Sequence, residues 1–308
     1  MLAEALSTKF LFLYAFLASA AFVHFRGRVR HKFTRQLTDH STLMAPINVF
    51  MYAFSAVSNK PLPDVKDFPG LDLIRNNWET IRDEALALDE GGSIKAADSY
   101  NDLGFNSFYR RGWKRFYLRW YTDEFHPSAV EKCPKTIEIL KQVPTIHAAM
   151  FTLLPPGGRL VAHRDPYAGS LRYHLGLVTP NDDKCRIYID DNMYSWRDGE
   201  DVVFDETYIH WAVNESDTDR IIFFADVERP MRYRFATLIN RFFSKYLISA
   251  AKTSNEEGEK VGILNKAFAY VYQVRLLGKR LKAYNRKLYY AQKYVLMALI
   301  LAAIIFWL

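Results

Sequence analysis

Short apolar runs separated by turn residues dominate the chain between positions 146 and 227. The runs have the length of β-strands, and Gly, Pro, Asn or Asp stand between them, as in TPNDD after LRYHLGLV. Several short strands with turn residues at regular intervals predict an all-β sandwich or barrel. No helical periodicity interrupts these runs, which argues against an alternating α/β fold.

Helical patterns flank this β region. Before it, residues 70–95 carry apolar side chains near helical spacing, and two glycines end the pattern. A short helix is expected over 128–141, with Pro134 near its start or at a break. Residues 109–121 alternate aromatic and basic side chains and predict one or two strands. Residues 235–293 predict helices rich in Leu, Tyr, Lys and Arg.

Both ends of the chain are apolar. Residues 10–23 and 294–308 carry no charge. A full membrane span needs about 20 residues, with a lower limit of about 17, so both stretches are short unless their flanks contribute. The first segment has Glu4 before it and basic residues directly after it, which favours an uncleaved anchor over a cleaved signal peptide. Whether each segment spans the membrane or only inserts stays open.

These patterns divide the chain of 308 residues into five parts. They predict an N-terminal membrane anchor (1–25), a membrane-proximal part with helical and aromatic-basic stretches (26–144), a β core (145–232), a basic helical region (233–293) and a C-terminal membrane segment (294–308). The expected fold class is α+β, in which flanking helices and hydrophobic terminal segments surround the β core.

Positive charge is concentrated beside the two apolar ends. The net charge is +7, and basic clusters occupy 26–35 and 275–293. Basic residues next to a membrane segment stay on the cytoplasmic side, so the middle of the chain is expected in the cytoplasm against the membrane. The bilayer is therefore the expected partner, and the adjoining apolar segments argue against a nucleic acid. Cys133 and Cys185 are not in a CxxC pair, so neither a disulfide framework nor a zinc finger is expected.

The strongest candidate chemistry lies in the β core. His163 and Asp165 stand two residues apart, and His210 follows on a later predicted strand. On a strand, residues i and i+2 point to the same face, so His163 and Asp165 can converge on one metal. Two imidazoles and one carboxylate are the ligands of the facial triad that binds Fe(II) and leaves positions open.

Three further polar residues suit a dianionic co-substrate. Arg220 lies on the strand predicted after His210, and a guanidinium binds a buried carboxylate through two parallel hydrogen bonds. Arg172 and His174 share one face of the strand LRYHLGL. If that face is the barrel interior, these groups are costly there without an anion, which argues for a ligand such as 2-oxoglutarate.

The segments HRDPYAGSLRYHLGLV and SWRDGEDVVFDETYIHWAVNESDTDRIIFFADVERP resemble the aspartyl/asparaginyl β-hydroxylase family. The resemblance covers roughly residues 145–232. It implies a double-stranded β-helix, a jelly-roll or cupin-like core, and a dioxygenase that uses Fe(II), 2-oxoglutarate and O₂, with ascorbate as a candidate reductant. It implies metal binding by His163, Asp165 and His210, and co-substrate binding by the residues Arg220, Arg172, His174 and Thr152.

The context outside the core resembles the bacterial lipid A hydroxylases of this family. Apolar segments at both ends and VHFRGRVRHKFTRQLTDHSTLMAPINV after the first carry this resemblance. The peptide-hydroxylating branch lacks the carboxylate at the position of Asp165, which also favours the lipid branch. The resemblance implies hydroxylation at C2 of a secondary acyl chain of lipid A or its precursor, at the cytoplasmic face of the inner membrane.

A lipid substrate with phosphates would need cations at the membrane surface. The basic-aromatic segment offers five such side chains, Arg110, Arg111, Lys114, Arg115 and Arg119. An exposed strand with ordinary charges is the alternative for this segment. For the whole chain, the alternatives are a peptide hydroxylase of the same fold and a membrane protein with a non-catalytic cupin-like sensor or a zinc hydrolase site. The sequence leaves the oligomeric state open.

Overall fold

The computed structural model describes residues 8–36, 39–96, 102 and 112–307. Nine strands form two antiparallel sheets: β1 (Lys114–Trp120), β2 (Ile146–Leu154), β3 (Arg159–His163), β4 (Ser170–Val178), β5 (Cys185–Ile189), β6 (Asn192–Ser195), β7 (Asp201–Phe204), β8 (His210–Asn214) and β9 (Arg220–Glu228). The large sheet has the order β1-β2-β9-β4-β7 and the small sheet the order β3-β8-β5-β6. Consecutive strands pass between two sheets, which agrees with the predicted jelly roll.

The alternation of side chains along the strands explains how the large sheet has two buried faces. Phe223 of β9 packs on a core shared with helices, whereas the next residue, Phe224, packs between the two sheets. Adjacent strand residues point to opposite faces, so a strand buried on both sides is apolar throughout, as in RIIFFADVE. From the small sheet, Ile187 and Ile189 complete the core between the sheets.

Eleven α-helices are described. They are α1 (Thr8–Phe25), α2 (Phe33–Gln36), α3 (His40–Leu43), α4 (Ala45–Ala53), α5 (Leu71–Asn76), α6 (Trp78–Glu90), α7 (Pro127–Lys132), α8 (Pro134–Lys141), α9 (Arg234–Phe243), α10 (Ile263–Tyr284) and α11 (Arg286–Trp307). A 3₁₀ turn spans Val65–Asp67, and a π turn (Ser244–Ile248) and a 3₁₀ turn (Ser249–Ala251) follow α9. Proline is favoured at the first helical position, which explains why Pro134 begins α8.

Helices α5, α6, α7 and α8 cover the outer face of the large sheet. Leu71, Ile81 and Ile137 from three of them pack with Phe151 and Phe223 of the sheet. The helices expected over 70–95 and 128–141 are both present, each divided into two. Strand β1 belongs to the large sheet although it lies before the predicted core, so the β core begins earlier than residue 145.

The two ends differ from the predicted division. Helix α11 continues through position 294, where a boundary was expected. Among the helices of the described residues, none combines the length and the apolar character needed to cross a bilayer. The predicted membrane-spanning segments are therefore not confirmed.

Candidate active site

Strands β3 and β8 bring the three predicted metal ligands together. His163 at the end of β3 pairs with His210 at the start of β8, and their ring centroids are 4.2 Å apart. Nε2 of His163 lies 3.8 Å from Oδ1 of Asp165. One ligand atom from each of the three residues lies within 4.8 Å of the others. Asp165 stands just beyond the strand, so the turn after β3 rather than strand alternation directs its carboxylate.

Backbone carbonyls fix the orientation of both imidazoles. Nδ1 of His163 donates to the carbonyl of Val161 at 2.7 Å, and Nδ1 of His210 donates to the carbonyl of Tyr208 at 3.0 Å. A carbonyl only accepts, so Nδ1 carries the hydrogen in each ring. Nε2 is therefore the acceptor atom of each ring, as in metal-binding histidines whose other nitrogen is held by a hydrogen bond.

The electrostatic environment favours the protonation states that a metal requires. Burial, together with the charge of His163, lowers the pKa of His210 to about 3, and burial also lowers the pKa of His163. Burial alone would raise the pKa of Asp165, but Arg172 and the two imidazoles hold it below its usual range. Neutral imidazoles and an ionised carboxylate bind metal ions. The donor set therefore fits a 2-His-1-carboxylate iron(II) centre.

Arg220 lies between the sheets and lines the same cavity as His163 and His210. Its side chain is 2% exposed, and it forms no ion pair with a carboxylate of the described chain. It donates to Oγ1 of Thr152 at 3.3 Å and lies 4.4 Å from the centre of the Trp196 ring, while its Nε has no partner. Burial lowers its pKa to about 10. A buried cation with donors to spare is a site for an anion.

His174 offers a second polar group to this cavity. Nδ1 of His174 accepts a hydrogen bond from Nε1 of Trp196 at 3.4 Å, so the hydrogen of the neutral ring is on Nε2. That Nε2 is buried and has no hydrogen-bond partner. Burial and the charges of Arg172 and Arg220 hold the pKa of His174 well below its usual value. A neutral imidazole therefore presents a donor to the cavity.

Arg172 faces the barrel interior and is surrounded by carboxylates. It borders the cavity, but its guanidinium is already bound to carboxylates: Nε donates to Asp226 at 2.6 Å and Nη2 to Asp165 at 2.9 Å, and Glu206 forms a third ion pair. These carboxylates therefore offset the free energy cost of burying the guanidinium. The contact of Arg172 with the co-substrate stays a prediction, and the hydrogen bond to Asp165 also places Arg172 where it can position that carboxylate.

Glu206 and Asp226 are buried partners of Arg172 that the sequence reasoning missed. Burial raises the pKa of Glu206 well above its usual value, although the charge of Arg172 opposes this shift. Asp226 had a signal in the sequence, because Arg220 and Asp226 are six residues apart on one strand and share a face. Glu206 had none, since it lies in the turn between β7 and β8.

The cavity between the sheets is narrow. Its volume is about 30 Å³, and its lining includes Trp113, Phe204 and Phe224 beside the polar groups.

The basic-aromatic segment does not converge on this cavity. Arg115 is buried, and its Nε lies 3.2 Å from the carboxylate of Asp102, which argues against contact with a lipid head group. Arg119 donates to two backbone carbonyls and lines a separate cleft of about 610 Å³. Lys114 is half-buried at the start of β1. Arg110 and Arg111 lie outside the described residues.

The N-terminal helices form hydrogen bonds with the turn that carries Asp165. Nη1 of Arg164, between the two ligands of the turn, donates to the carbonyl of Val23 in α1 at 2.8 Å. Nε2 of His40 lies 2.9 Å from the carbonyl of Arg164, and Nδ2 of Asn48 donates to the carbonyl of Pro166 at 2.9 Å. The apolar N-terminal helix is thus joined directly to the candidate metal centre.

Comparison with known proteins assigns the family. The family profile of aspartyl/asparaginyl beta-hydroxylases matches residues 75–230. This chain belongs to that family. The resemblance predicted from the sequence is therefore confirmed, and the profile includes all three residues of the candidate metal centre.

The relatives of this chain include proteins named as lipid and aspartyl/asparaginyl hydroxylases. It is 32% identical to the ornithine lipid ester-linked acyl 2-hydroxylase of Rhizobium tropici over 182 residues, 58% of this chain and 64% of that protein. It is 27% identical to the aspartyl/asparaginyl beta-hydroxylase of Homo sapiens, over 58% of this chain and 24% of that protein. The chain thus spans less than two thirds of the length of both. Among solved structures, a Pseudomonas putida prolyl-4-hydroxylase is a distant match (16% identity, TM-score 0.33, 60% of this chain and 98% of that chain).

Proposed function

We propose that this hydroxylase uses iron(II), 2-oxoglutarate and O₂ to hydroxylate C2 of a secondary acyl chain of lipid A. The observation that carries the dioxygenase part is Arg220, a buried cation without a carboxylate partner in the described chain, which lines the same cavity as His163 and His210 of the candidate metal centre. A metal centre alone would suit several reactions. A metal centre facing an unbalanced guanidinium suits a ligand with one chelating end and one distal carboxylate.

The protein groups divide the co-substrate between them. Arg220 and Thr152 would bind the distal carboxylate, while His174 Nε2 would donate to the end near the metal. When bound, iron(II) and 2-oxoglutarate supply the oxidising chemistry that places one oxygen atom of O₂ in an unactivated C–H bond. The acyl C–H has no acidic proton, so acid–base groups of the protein alone would not suffice.

The acyl chain as substrate is supported by two observations. The relative from Rhizobium tropici acts, by its name, on the 2-position of an acyl chain. The carboxylate of Asp165 is the feature by which this chain resembles the lipid branch rather than the peptide branch. Lipid A and ornithine lipid present the same ester-linked or amide-linked acyl chemistry, and substrate assays must include both.

The cytoplasmic face of the inner membrane is the proposed location. It is supported by the apolar side chains on the surface of α1, where Leu11, Phe12 and Leu17 are each about half exposed or more, and by the exposed basic residues Arg30, Lys32 and Arg35 that follow. Arg26 is not available to lipid, because it lies against Asp205 between two tyrosine rings.

Turnover by anaerobically loaded enzyme tests the dioxygenase part of the proposal. Succinate formation should require iron(II), 2-oxoglutarate and O₂ together, and His163→Ala or His210→Ala should abolish it. A third variant, His147→Ala, alters a histidine outside the triad and should retain turnover. Undiminished activity in either triad variant would end the hypothesis.

A peptide or protein β-hydroxylase is the second candidate, favoured by the similarity to the human enzyme. Offering lipid extract and peptide in parallel, with mass detection of one added oxygen, separates the two. A non-catalytic sensor would consume no 2-oxoglutarate, and a zinc hydrolase would not respond to O₂.

A further inference from the structure

Helix α9 presents an apolar stripe to the surface. Phe235, Leu238, Phe242 and Tyr246 are 49%, 59%, 58% and 64% exposed, and the last of these lies in the π turn that continues the helix. Their spacing of three or four residues places them on one side. Scattered exposed apolar residues are normal, but a contiguous large apolar patch indicates an interaction surface.

The opposite side of α9 is fastened beside the candidate active site. Nδ2 of Asn240 donates to the carbonyl of Gly169 at 2.8 Å, and the hydroxyl of Tyr167 donates to the carbonyl of Asn240 at 2.9 Å. Residues 167–169 directly follow the loop that carries Asp165. The apolar stripe is therefore about one helix diameter, roughly 10 Å, from the chain segment next to the metal ligands.

The stripe continues onto the N-terminal helices. The ring of Phe235 lies 5.2 Å from that of Phe54 and 6.4 Å from that of Phe50 in α4. On the other side of α4, Tyr52 lies 6.0 Å from Phe22 of α1, which is 47% exposed. Helix α4 thus extends the apolar stripe, and the exposed ring of Phe22 in α1 lies on the other side of α4.

Charge identifies what this surface meets. Residues 229–255 contain six Arg or Lys residues and no Asp or Glu. Of these, Arg232, Arg234 and Lys245 are exposed beside the stripe. Basic residues around an apolar helix face are typical of helices that lie in the interface of anionic membranes. A second copy of the chain would bring identical positive faces together, which like-charge repulsion disfavours.

We propose that α9 and the π turn after it insert into the head-group boundary of a bilayer that contains anionic lipid. The inference rests on the proposed function for the reason why such docking is useful. C2 of an acyl chain adjoins the ester or amide at the bilayer interface, and interfacial helices bury their apolar face about 5–10 Å deep. Docking through α9 would hold the segment next to the metal ligands close to the surface of the bilayer.

The test uses the full-length protein with an environment-sensitive fluorophore on Phe242→Cys. Both native cysteines are buried, so the added thiol takes the label. Val130→Cys on α7, with a side chain exposed to a similar extent (50%), is the matched control. Vesicles contain equal parts phosphatidylcholine and phosphatidylglycerol, with nitroxide-labelled lipid as quencher. Iron-dependent 2-oxoglutarate binding is measured in the same samples.

We expect several-fold stronger quenching at position 242 than at position 130, and a decrease when Leu238→Glu is added. Equal quenching at both positions, or none at 242 in vesicle-bound protein, would overturn the inference. A change in the fluorescence emission of the label at position 242 that occurs without vesicles and grows with protein concentration would also overturn the inference, since it indicates self-association. Quenching at 242 without 2-oxoglutarate binding supports the surface and refutes the proposed reaction, so the two failures are distinguishable.

Discussion

Arg220 has an environment that is energetically unfavourable for a charged side chain without a bound anion. Its guanidinium is buried and meets a hydroxyl and an aromatic face, but no carboxylate of the described chain. A buried polar group without its partner costs about 1–3 kcal/mol, and more when charged. A dianion that binds to Arg220 would remove this cost, and its binding would be stronger by a corresponding amount.

Arg220→Met should therefore have opposite effects on stability and on binding. We expect the ligand-free protein to gain about 1–3 kcal/mol in free energy of unfolding, because the unsatisfied group is removed. The affinity for 2-oxoglutarate should fall about tenfold or more, since charge-assisted hydrogen bonds contribute about 1.5–3 kcal/mol. Thermal unfolding and calorimetric titration measure both. Arg220→Lys, which keeps the charge without the fork, should bind with intermediate affinity; a destabilised Met variant with unchanged affinity would show a purely structural role.

Arg172 is expected to act through Asp165. It holds Asp165 at 2.9 Å and is itself held by Asp226 and Glu206. Changes in the groups that orient a metal ligand typically reduce metal affinity about 10–100-fold, and we expect Arg172→Lys to fall in this range. Titration with cobalt(II), followed by its absorption, measures this without turnover. Arg197→Lys, which alters a surface arginine paired with Asp183, should leave the affinity unchanged; an equal loss in both would contradict the assignment.

For single residues, the sequence predicted the metal ligands better than the residues that hold those ligands in position. His163, Asp165 and His210 were recognisable because their residue types and spacing are those of one metal centre. The role of Arg172 was not, since its partners come from β9 and from the turn before β8. Which charges meet in a core depends on strand order, and residue spacing alone does not give it.

At the level of elements, a buried ion cluster ties the N-terminal segment to the β core. Asp205, just after β7, is fully buried and binds both Arg26, which follows α1, and Arg229, which follows β9, the latter at 2.9 Å. Its pKa is held below the usual range by these two arginines although burial alone would raise it. The cluster fixes the position of the chain after α1 relative to the β core.

Asp205→Asn should destabilise the protein by about 3–5 kcal/mol, because removing one partner leaves buried charges uncompensated. Denaturant unfolding measures the change. Asp191→Asn is the matched control, since Asp191 pairs with Arg28 of the same segment but both side chains are exposed. Exposed pairs contribute about 0–1 kcal/mol, so the control should change little. Similar effects of the two substitutions would refute a special role of the buried cluster.

Strand and helix positions followed from apolar patterning, whereas membership of a sheet did not. The strands of the β core alternate or are apolar throughout, and turn residues separate them clearly. Strand β1 was recognisable as a strand, yet nothing in its own residues indicates that it pairs with β2. The pairing depends on contacts between residues far apart in sequence.

In the whole molecule, an apolar surface lies beside the β core. The core belongs to the aspartyl/asparaginyl beta-hydroxylase family. The apolar stripe of α9 and the exposed face of α1 give this core a side that suits a bilayer. A substrate that enters from the membrane would approach the candidate metal centre next to residues 164–169, which contact these helices.

Mass spectrometry of lipids from cells with and without this protein tests the central claim most directly. We predict that lipid A carries one additional oxygen when the protein is present, that fragmentation locates it at C2 of a secondary acyl chain, and that His163→Ala removes it. Ornithine lipids in the same extracts would show whether they are the substrate instead. Unchanged acyl chains in all lipids, together with an oxygen gained by a peptide substrate, would contradict the account.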